Sequence, residues 1–251
     1  MNAPSVAVVI PAYNAADTLP DVIARFPRAL HDELLAIWVV DDGSTDQTVR
    51  VIRKLKTESP WPLKLIMQPH NGGYGNAMKR GLTAARAAGA SIVACVHADG
   101  QYAPELLPAL LDSLRKRRLD LLQGSRLASG RGALAGGMPF YKYLAGRALV
   151  ALENRVLGLG LSDYHSGYML YGQRALQHLP FTRLAGSFHF DLEVLASAKA
   201  YGLRVGEHAI PTHYGDEVSY LDPIRYGVEV LKVMARYHQG HYHPQPHGKP
   251  H

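Results

Sequence analysis

The sequence predicts an α/β fold in which helices flank a mainly parallel β-sheet. Short apolar segments alternate with longer amphipathic ones through the first half of the chain, as in repeated βαβ units. A hydrophobic content of 47% over 251 residues is enough for one large domain with a full core. Polar, turn-forming residues follow each of the first four apolar segments, where such folds bind their ligands.

The elements are predicted in chain order from the period of the apolar residues. The four βα units have strands at 6–10, 36–40, 63–67 and 92–96 and helices near 19–30, 48–56, 76–88 and 104–117. A fifth strand is predicted at 119–122, before a glycine-rich loop at 130–139 that we expect to be mobile. The second half is predicted to contain helices at 140–157, 190–201 and 222–238 and strands at 168–171 and 203–209.

The C-terminal part of the chain contains two further features. The helix at 222–238 carries an apolar stripe that we expect to pack on the core, with contact to a bilayer interface as the alternative. Residues 239–251 are rich in histidine and proline, and we expect them to form a disordered tail.

Composition narrows the expected location and partners. Cys95 is the only cysteine and lies in an apolar segment, so we expect no intrachain disulfide and a reducing cytoplasm. No apolar stretch approaches the roughly 18 residues of a membrane span, and the first residues do not resemble a signal peptide. A formal charge of +6 suits phosphate-bearing ligands or peripheral contact with the inner face of a membrane. The basic cluster at 115–118 has no interleaved aromatic residues, so nucleic acid is not an expected partner.

Four polar segments follow the four predicted parallel strands. They read Pro-Ala-Tyr-Asn at 11–14, Asp-Asp-Gly-Ser-Thr-Asp at 41–46, Asn-Gly-Gly-Tyr-Gly-Asn at 71–76 and His-Ala-Asp-Gly-Gln at 97–101. Each alone is a common turn former, but four in succession at one edge of a sheet favour a binding site. The first segment lacks the glycine fingerprint of dinucleotide-binding folds, so nicotinamide and flavin cofactors are not expected.

Carboxylates at this edge indicate the type of ligand. A nucleotide diphosphate repels carboxylates, so two aspartates fit best if one contacts the base or ribose and the other holds a divalent cation. Asp42 suits the first role and Asp99 the second. Gln101 and His97 flank Asp99 at two-residue spacing, which in an extended segment places side chains on the same side. His97 is therefore either a metal ligand or a hydrogen-bonded histidine at the edge.

Together these segments resemble the inverting family 2 glycosyltransferases of GT-A (Rossmann-like) fold, and most closely their dolichyl-phosphate mannose synthase-like branch. The similarity runs through nearly all of residues 6–235. It includes Gly-Ser-Arg at 124–126, Ser-Asp-Tyr-His-Ser-Gly at 162–167 and Phe-His-Phe-Asp at 188–191. The resemblance implies one domain at 1–238, with a nucleotide-sugar-binding half at 1–125 and an acceptor half at 126–238 that includes the C-terminal helices.

The resemblance also implies a donor site. The residues expected to line the nucleoside pocket are Pro11, Tyr13, Val40 and Asp42. Asp99 and Gln101 are expected to serve the diphosphate and its cation, Mg²⁺ or Mn²⁺. His213 and Tyr214 lie in a segment similar to the donor-closing loop of the family and are expected to contact the diphosphate.

Two positions depart from the family pattern. His97 stands where the metal motif usually begins with an aspartate, which removes a negative charge, adds a nitrogen ligand and leaves the metal preference open. Ala15 stands where an acidic residue is often found, so the sequence does not choose between a UDP-sugar and a GDP-sugar.

The implied acceptor is a polyprenyl phosphate, whose phosphate Arg126 would bind, with Arg147 and Lys142 as further candidates. An ionised phosphate needs no general base. In the alternative, the acceptor is a saccharide hydroxyl and Asp191 is the base, unless Asp191 only caps a helix that starts at Leu192. A non-catalytic nucleotide-sugar-binding module, suggested by His97, and a nucleotidyltransferase are the remaining hypotheses.

Overall fold

A seven-stranded mixed sheet forms the centre of the computed structural model, which describes residues 5–128, 140–211 and 223–244. The strands are β1 (Val6–Ala12), β2 (Leu34–Asp41), β3 (Leu63–Met67), β4 (Ile92–Cys95), β5 (Leu121–Ser125), β6 (Met169–Tyr171) and β7 (Val205–Ala209). Their order across the sheet is β3-β2-β1-β4-β6-β5-β7. Only β6 runs antiparallel to its neighbours among these strands, so the predicted mainly parallel sheet is confirmed.

Helices cover both faces of this sheet. The α-helices are α1 (Leu19–Ala24), α2 (Thr48–Glu58), α3 (Tyr74–Ala87), α4 (Leu107–Lys116), α5 (Phe140–Leu157), α6 (Gln173–His178), α7 (Phe190–Ala200) and α8 (Pro223–His238). The part of the chain that the structure describes also contains short 3₁₀ helices at Arg28–Leu30, Pro104–Leu106 and Phe181–Arg183. The predicted α/β class with flanking helices therefore holds across the described residues.

The central strand β1 separates two hydrophobic cores. Val8 and Ile10 point into one core, and Ala7 and Val9 point into the other, because successive side chains of a strand face opposite sides. All four are fully buried, and each larger aliphatic side chain contributes about 1.5–3 kcal/mol by leaving water. Helix α3 lies directly on β1: a Cβ added at Gly81 would come within 2.3 Å of Val9 Cγ1. This close packing fixes the N-terminus of α3 at the edge where the strands end.

One predicted helix is divided in the structure, and one helix of the structure was not predicted. The predicted helix at 19–30 divides into α1 and the 3₁₀ turn Arg28–Leu30, because Pro27 between them is extended and has no backbone N–H to continue a helix. Helix α6 was not predicted, since six residues are too few for a helical period to stand out in the sequence.

The chain after α8 remains ordered beyond the predicted start of the tail. We expected disorder from residue 239, but residues 239–244 are described and Tyr242 is only 4% exposed. The Tyr242 hydroxyl donates a 2.8 Å hydrogen bond to Glu193 Oε1. A buried ring with a satisfied hydroxyl offsets the entropy of ordering these residues, which their low-complexity composition concealed. Residues 245–251 and the glycine-rich segment 130–139 lie outside the described residues.

Helix α8 packs on the core through one face. Val230, Val233 and Met234 are buried, as the apolar stripe predicts, whereas Val228 and Leu231 are exposed. Within the described ranges, no helix has the length and apolar character that crossing a membrane requires.

Candidate active site

The four polar segments meet at one edge of the sheet, where β3, β2, β1 and β4 end side by side. Backbone hydrogen bonds join the neighbouring ends: Asp42 N–H to the Ala12 carbonyl at 2.8 Å and Gln68 N–H to the Asp41 carbonyl at 2.9 Å. The segments after β1 and β2 also interlock, since Asn14 N–H donates to Ser44 Oγ at 2.9 Å. The strand topology thus brings the predicted segments together, and this edge is the candidate site.

The residues expected around the nucleoside differ in their solvent exposure. Tyr13 is 47% exposed just beyond β1, and Pro11 is partly buried. Val40 pairs in register with Pro11, but its side chain is fully buried in the core. The Val40 side chain therefore points to a sheet face that helices cover, which leaves the backbone beside Pro11 as the part of Val40 that could border the nucleoside. That Val40 lines the pocket stays a prediction.

Asp42 uses its carboxylate to hold the loop before α3. Its Oδ1 accepts hydrogen bonds from Gln68 Nε2 at 2.6 Å and from Gly72 N–H at 2.8 Å, and its Oδ2 accepts from Gly73 N–H at 2.8 Å. A carboxylate offers about four acceptor positions, so most of its capacity is filled from within the chain. The structure gives Asp42 an anchoring role, and its contact with the base or ribose stays a prediction.

Asp41 is a candidate site residue that the sequence analysis did not single out. It is 2% exposed, and its Oδ1 has no hydrogen-bond partner among the residues that the structure describes. Its Oδ2 accepts from Ser44 N–H at 3.3 Å. A buried carboxylate oxygen without a partner is costly, which is typical of a ligand-binding position. The Asp-Asp pair was the signal in the sequence. Which of the two carboxylates is left with an oxygen that lacks a partner depends on their different orientations at the end of β2.

Asp99 is exposed at the end of β4, where it can meet a cation. Its Oδ1 accepts a hydrogen bond from the backbone of Gln101 at 3.0 Å, and Thr18 Oγ1 donates to the Ala98 carbonyl at 2.7 Å. The Gln101 side chain is also exposed. In the described ranges, no three His, Cys, Asp or Glu side chains group closely enough to hold a metal. These residues fit a hard cation such as Mg²⁺ or Mn²⁺ that takes its remaining oxygen ligands from a diphosphate.

His97 does not fit the predicted role of metal ligand. Its ring packs between Tyr74 and Tyr102, with centroids 5.3 and 4.8 Å away, and its Nε2 faces Gly167. Burial lowers the pKa of His97, so the ring is neutral near pH 7. The two-residue spacing misled because the chain turns at Ala98 and no longer alternates as a strand does. The alternative role, a hydrogen-bonded histidine at the edge, is not met at Nε2 either, because this atom has no hydrogen-bond partner within the described residues.

Arg126 follows β5 and is held by the segment 162–167. Its Nη2 donates to the His165 carbonyl at 3.1 Å, and its Nε lies 3.5 Å from Asp163 Oδ2. The Asp163 side chain is 2% exposed while that of Arg126 is 25% exposed, so the carboxylate fixes the guanidinium without covering it. Burial has the largest effect on the pKa of His97 and lowers it. The charge of Asp99 raises this pKa and the charge of Arg126 lowers it, so both charged groups lie near the His97 ring.

Asp191 lies in the first turn of α7 and contacts two tyrosines. Tyr74 Oη donates to Oδ2 at 2.8 Å and Tyr171 Oη to Oδ1 at 3.4 Å. Burial raises the pKa of Asp191 from 3.8 to about 7, and the two hydroxyl donors oppose that rise. The alternative that Asp191 caps a helix starting at Leu192 is wrong, because α7 already begins at Phe190.

Of four further predicted residues, only Arg147 has a side chain among those that the structure describes. His213 and Tyr214 lie outside the described residues, so their contact with a diphosphate stays a prediction. Arg147 is exposed on α5, and the side chain of Lys142 lies outside the description.

The mainly parallel sheet flanked by helices is a fold of the GT-A type. The chain superposes on glucosyl-3-phosphoglycerate synthase from Mycobacterium tuberculosis in complex with phosphoglyceric acid with a TM-score of 0.67, covering 96% of this chain and 81% of that one at 18% identity. A complex of the same enzyme with Mn²⁺, uridine diphosphate and glucosyl-3-phosphoglycerate gives a TM-score of 0.63 at 18% identity, again covering 96% of this chain and 81% of that one. At such identities the likeness establishes the fold.

The chain belongs to glycosyl transferase family 2, whose family model matches residues 7–179. It is 28% identical over 201 residues to polyprenol monophosphomannose synthase of Mycolicibacterium smegmatis, covering 80% of this chain and 74% of the relative. It is 31% identical over 196 residues to dolichol-phosphate mannosyltransferase of Pyrococcus furiosus, covering 77% of this chain and about half, 53%, of the relative. It is 27% identical over 214 residues to dodecaprenyl-phosphate galacturonate synthase of Rhizobium johnstonii, covering 84% and 59%. The chain is thus a glycosyltransferase and not a non-catalytic binding module.

Proposed function

We propose that this glycosyltransferase moves a sugar from a nucleotide-diphosphate donor to a polyprenyl phosphate, with inversion at the sugar carbon. The three relatives named above differ in their sugar, mannose or galacturonate, but each name specifies a polyprenol-type or dolichol phosphate. This common element supports the acceptor. The differing sugars leave the donor as a UDP-sugar or a GDP-sugar.

The observation that carries this proposal is the enclosure of Asp191. Its carboxyl is 7% exposed, and each oxygen accepts a hydrogen bond from a tyrosine hydroxyl. A general base must reach the proton it removes, directly or through one water. An ionised phosphate carries no such proton at its attacking oxygen. It therefore suits a site whose buried carboxyl already forms hydrogen bonds with two tyrosines.

The chain's own residues then have separate tasks. Arg126 binds the acceptor phosphate, because a guanidinium matches phosphate geometry and this one is held in place yet partly exposed. A phosphate oxygen attacks the sugar carbon as the bond to the nucleoside diphosphate breaks. Asp99, with Gln101, would hold a divalent cation, which when bound neutralises the charge of the departing diphosphate. Tyr13 and the backbone at Pro11 and Val40 would border the nucleoside.

One observation favours a hydroxyl acceptor instead. The pKa of Asp191, raised by burial to about 7, is the value at which a general base works well near neutral pH. In that case Asp191 would have to exchange its hydrogen bond with Tyr74 for one to the acceptor.

Contact with a membrane belongs to the same proposal. A polyprenyl chain resides in a bilayer, and the exposed Val228 and Leu231 beside Lys232 give α8 an apolar and basic outer surface. We therefore place the working enzyme at the inner membrane face.

A transfer assay tests the proposed function. The purified chain is incubated with radiolabelled UDP- or GDP-sugars, Mg²⁺ or Mn²⁺, and either farnesyl phosphate or octyl glucoside as acceptor. We expect product with farnesyl phosphate, loss of product with a chelator, and little product with octyl glucoside. Efficient transfer to octyl glucoside alone would establish the hydroxyl alternative.

A further inference from the structure

A buried carboxylate lies on the acceptor side of the site, away from the donor edge. Glu153 of α5 is fully buried, and its Oε2 lies 3.3 Å from His165 Nε2. The other ring nitrogen of His165, Nδ1, lies 2.9 Å from Tyr226 Oη in α8. Three segments, namely α5, the segment 162–167 and α8, thus meet at one imidazole ring, and Tyr226 of α8 lies 61 residues from His165 in sequence.

Within the described residues, Glu153 and His165 Nε2 meet at ion-pair distance without a hydrogen bond of good geometry, whereas Nδ1 is hydrogen-bonded to Tyr226. One assignment of protons fits these distances. Tyr226 donates its hydroxyl proton to His165 Nδ1, and the N–H at Nε2 then faces the Glu153 carboxylate. Burial raises the pKa of Glu153, and the adjacent His165 ring opposes that rise. Burying a carboxylate costs free energy unless the charge is paired, so packing alone does not account for the position of Glu153.

His165 leads from this cluster to Arg126. The ring of His165 lies beside Glu153 and Tyr226, and its backbone carbonyl accepts a 3.1 Å hydrogen bond from Arg126 Nη2. Its own N–H donates to Asp163 Oδ1 at 2.8 Å, while Asp163 Oδ2 lies 3.5 Å from Arg126 Nε. Fixing the ring of His165 therefore fixes the backbone that orients the guanidinium.

We propose that Glu153 and Tyr226 are positioning residues that hold His165, and through it aim Arg126 at the phosphate of the acceptor. This inference rests on the proposed function, in which Arg126 binds that phosphate. Neither positioning residue touches the substrate. Their removal acts on acceptor binding and leaves the donor edge, formed by other elements, unchanged.

Tyr226→Phe is the test, and Tyr164→Phe is its matched control. Tyr164 lies in the same segment as His165 and donates at 2.7 Å to Asn154 of α5, so both variants lose one hydroxyl hydrogen bond close to Glu153. We expect Tyr226→Phe to raise the KM for farnesyl phosphate about fivefold to tenfold, as for one weakened charge-assisted bond, with the donor KM unchanged. Tyr164→Phe should leave both values unchanged. Glu153→Gln should reproduce the acceptor defect with little effect on the donor KM.

A double-mutant cycle on thermal stability keeps the inference testable if farnesyl phosphate is not the acceptor. Tyr226→Phe and Arg126→Lys should be non-additive in Tm by about 2 °C, whereas Tyr164→Phe and Arg126→Lys should add. Additive effects for Tyr226 and Arg126, or an equal rise in KM with Tyr164→Phe, would overturn the positioning role. Absence of turnover with farnesyl phosphate despite the expected coupling would instead refute the proposed acceptor.

Discussion

The hydroxyl of Tyr74 donates a 2.8 Å hydrogen bond to Asp191 Oδ2 and so joins the first turns of α3 and α7 across 117 residues of sequence. Gly73, next to Tyr74, donates its N–H to Asp42. The buried carboxyl and the loop at the donor edge are therefore parts of one connected structure. Since burial raises the pKa of Asp191 to about 7, the charge within this structure changes near neutral pH.

Asp191→Asn should change how stability depends on pH. The carboxyl ionises near pH 4 in the unfolded chain and near 7 in the folded one, so its stabilising contribution is full below pH 4 and is lost as the pH rises through 7. Relative to the wild type, the variant should gain on the order of 2–4 kcal/mol between pH 4 and pH 8. Urea unfolding across this range measures the difference. Asp32→Asn, at a side chain that is 91% exposed, is the control, and parallel curves for wild type and Asp191→Asn would contradict the raised pKa.

The same substitution separates the two acceptors. With a phosphate acceptor, Asp191→Asn should keep kcat within about threefold of the wild type, because no proton has to be removed. With a hydroxyl acceptor, loss of a general base should lower kcat by about 10²–10⁴-fold. Initial rates with farnesyl phosphate and with octyl glucoside give the answer directly.

Asp99→Ala should abolish metal-dependent transfer while the fold stays intact. The side chain is exposed, so we expect a change in unfolding free energy within about 0.5 kcal/mol. Loss of the carboxylate that holds the cation should lower kcat by about 10²-fold or more. Circular dichroism, activity and Mn²⁺ titration in the presence of nucleotide are measured on the variant and on Asp32→Ala. Turnover equal to the wild type would remove Asp99 from the metal site.

The sequence predicted the sheet and its edge more successfully than the orientation of individual side chains. Strands β1 to β4 are largely apolar segments, interrupted in β3 by Lys64, and turn formers follow each of them, so their existence and shared direction follow from local pattern. The orientation of the Val40 and His97 side chains could not be predicted, because it depends on which sheet face is covered and on the turn at Ala98. Neither is encoded in the spacing of the residues themselves.

The acceptor side was harder to predict for a different reason. Tyr226 lies 61 residues from His165 in sequence, and Glu153, His165 and Tyr226 meet only through the packing of α5 and α8 around the segment 162–167. The segment 162–167 stood out in the resemblance, but its neighbours did not. The apolar residues of α5 are not confined to one face of the helix, so nothing in the local sequence separates a buried Glu153 from a surface charge.

Asp42→Asn should weaken both the fold and nucleotide binding. An amide presents an N–H where the carboxylate accepts one, so at least one of its three hydrogen bonds fails, at a cost of about 1–3 kcal/mol. Asp120→Asn is the control, since this buried aspartate accepts from Arg204 N–H at 2.8 Å at the opposite end of the sheet. Calorimetry with UDP and GDP should show weaker binding only for the Asp42 variant. Equal affinities in the two variants would mean that the loop before α3 does not shape the donor site.

Gly73→Ala should cost more stability than Gly89→Ala, although both glycines have a positive φ of similar size. Their φ angles are +93° and +90°, so an alanine at either position is strained by about 1–2 kcal/mol. A Cβ at Gly73 would also lie 2.6 Å from the Gly186 carbonyl oxygen, whereas a Cβ at Gly89 meets nothing within 4 Å. The segment at Gly186 must then move, which adds about 1–3 kcal/mol for Gly73→Ala alone.

The same pair of variants also reports on function. Gly73 donates its N–H to Asp42, so displacing it should loosen the donor edge and lower the affinity for nucleotide, whereas Gly89→Ala should leave that affinity unchanged. Chemical unfolding measures the stability difference, and calorimetry measures the affinity. Equal losses of stability would show that the loop before α3 does not touch the segment at Gly186. A larger loss of stability at Gly73 with unchanged nucleotide affinity would show that the contact between Gly73 and Gly186 does not affect donor binding. The steric effect of the added methyl group would then be confined to the interface between the loop before α3 and the segment at Gly186.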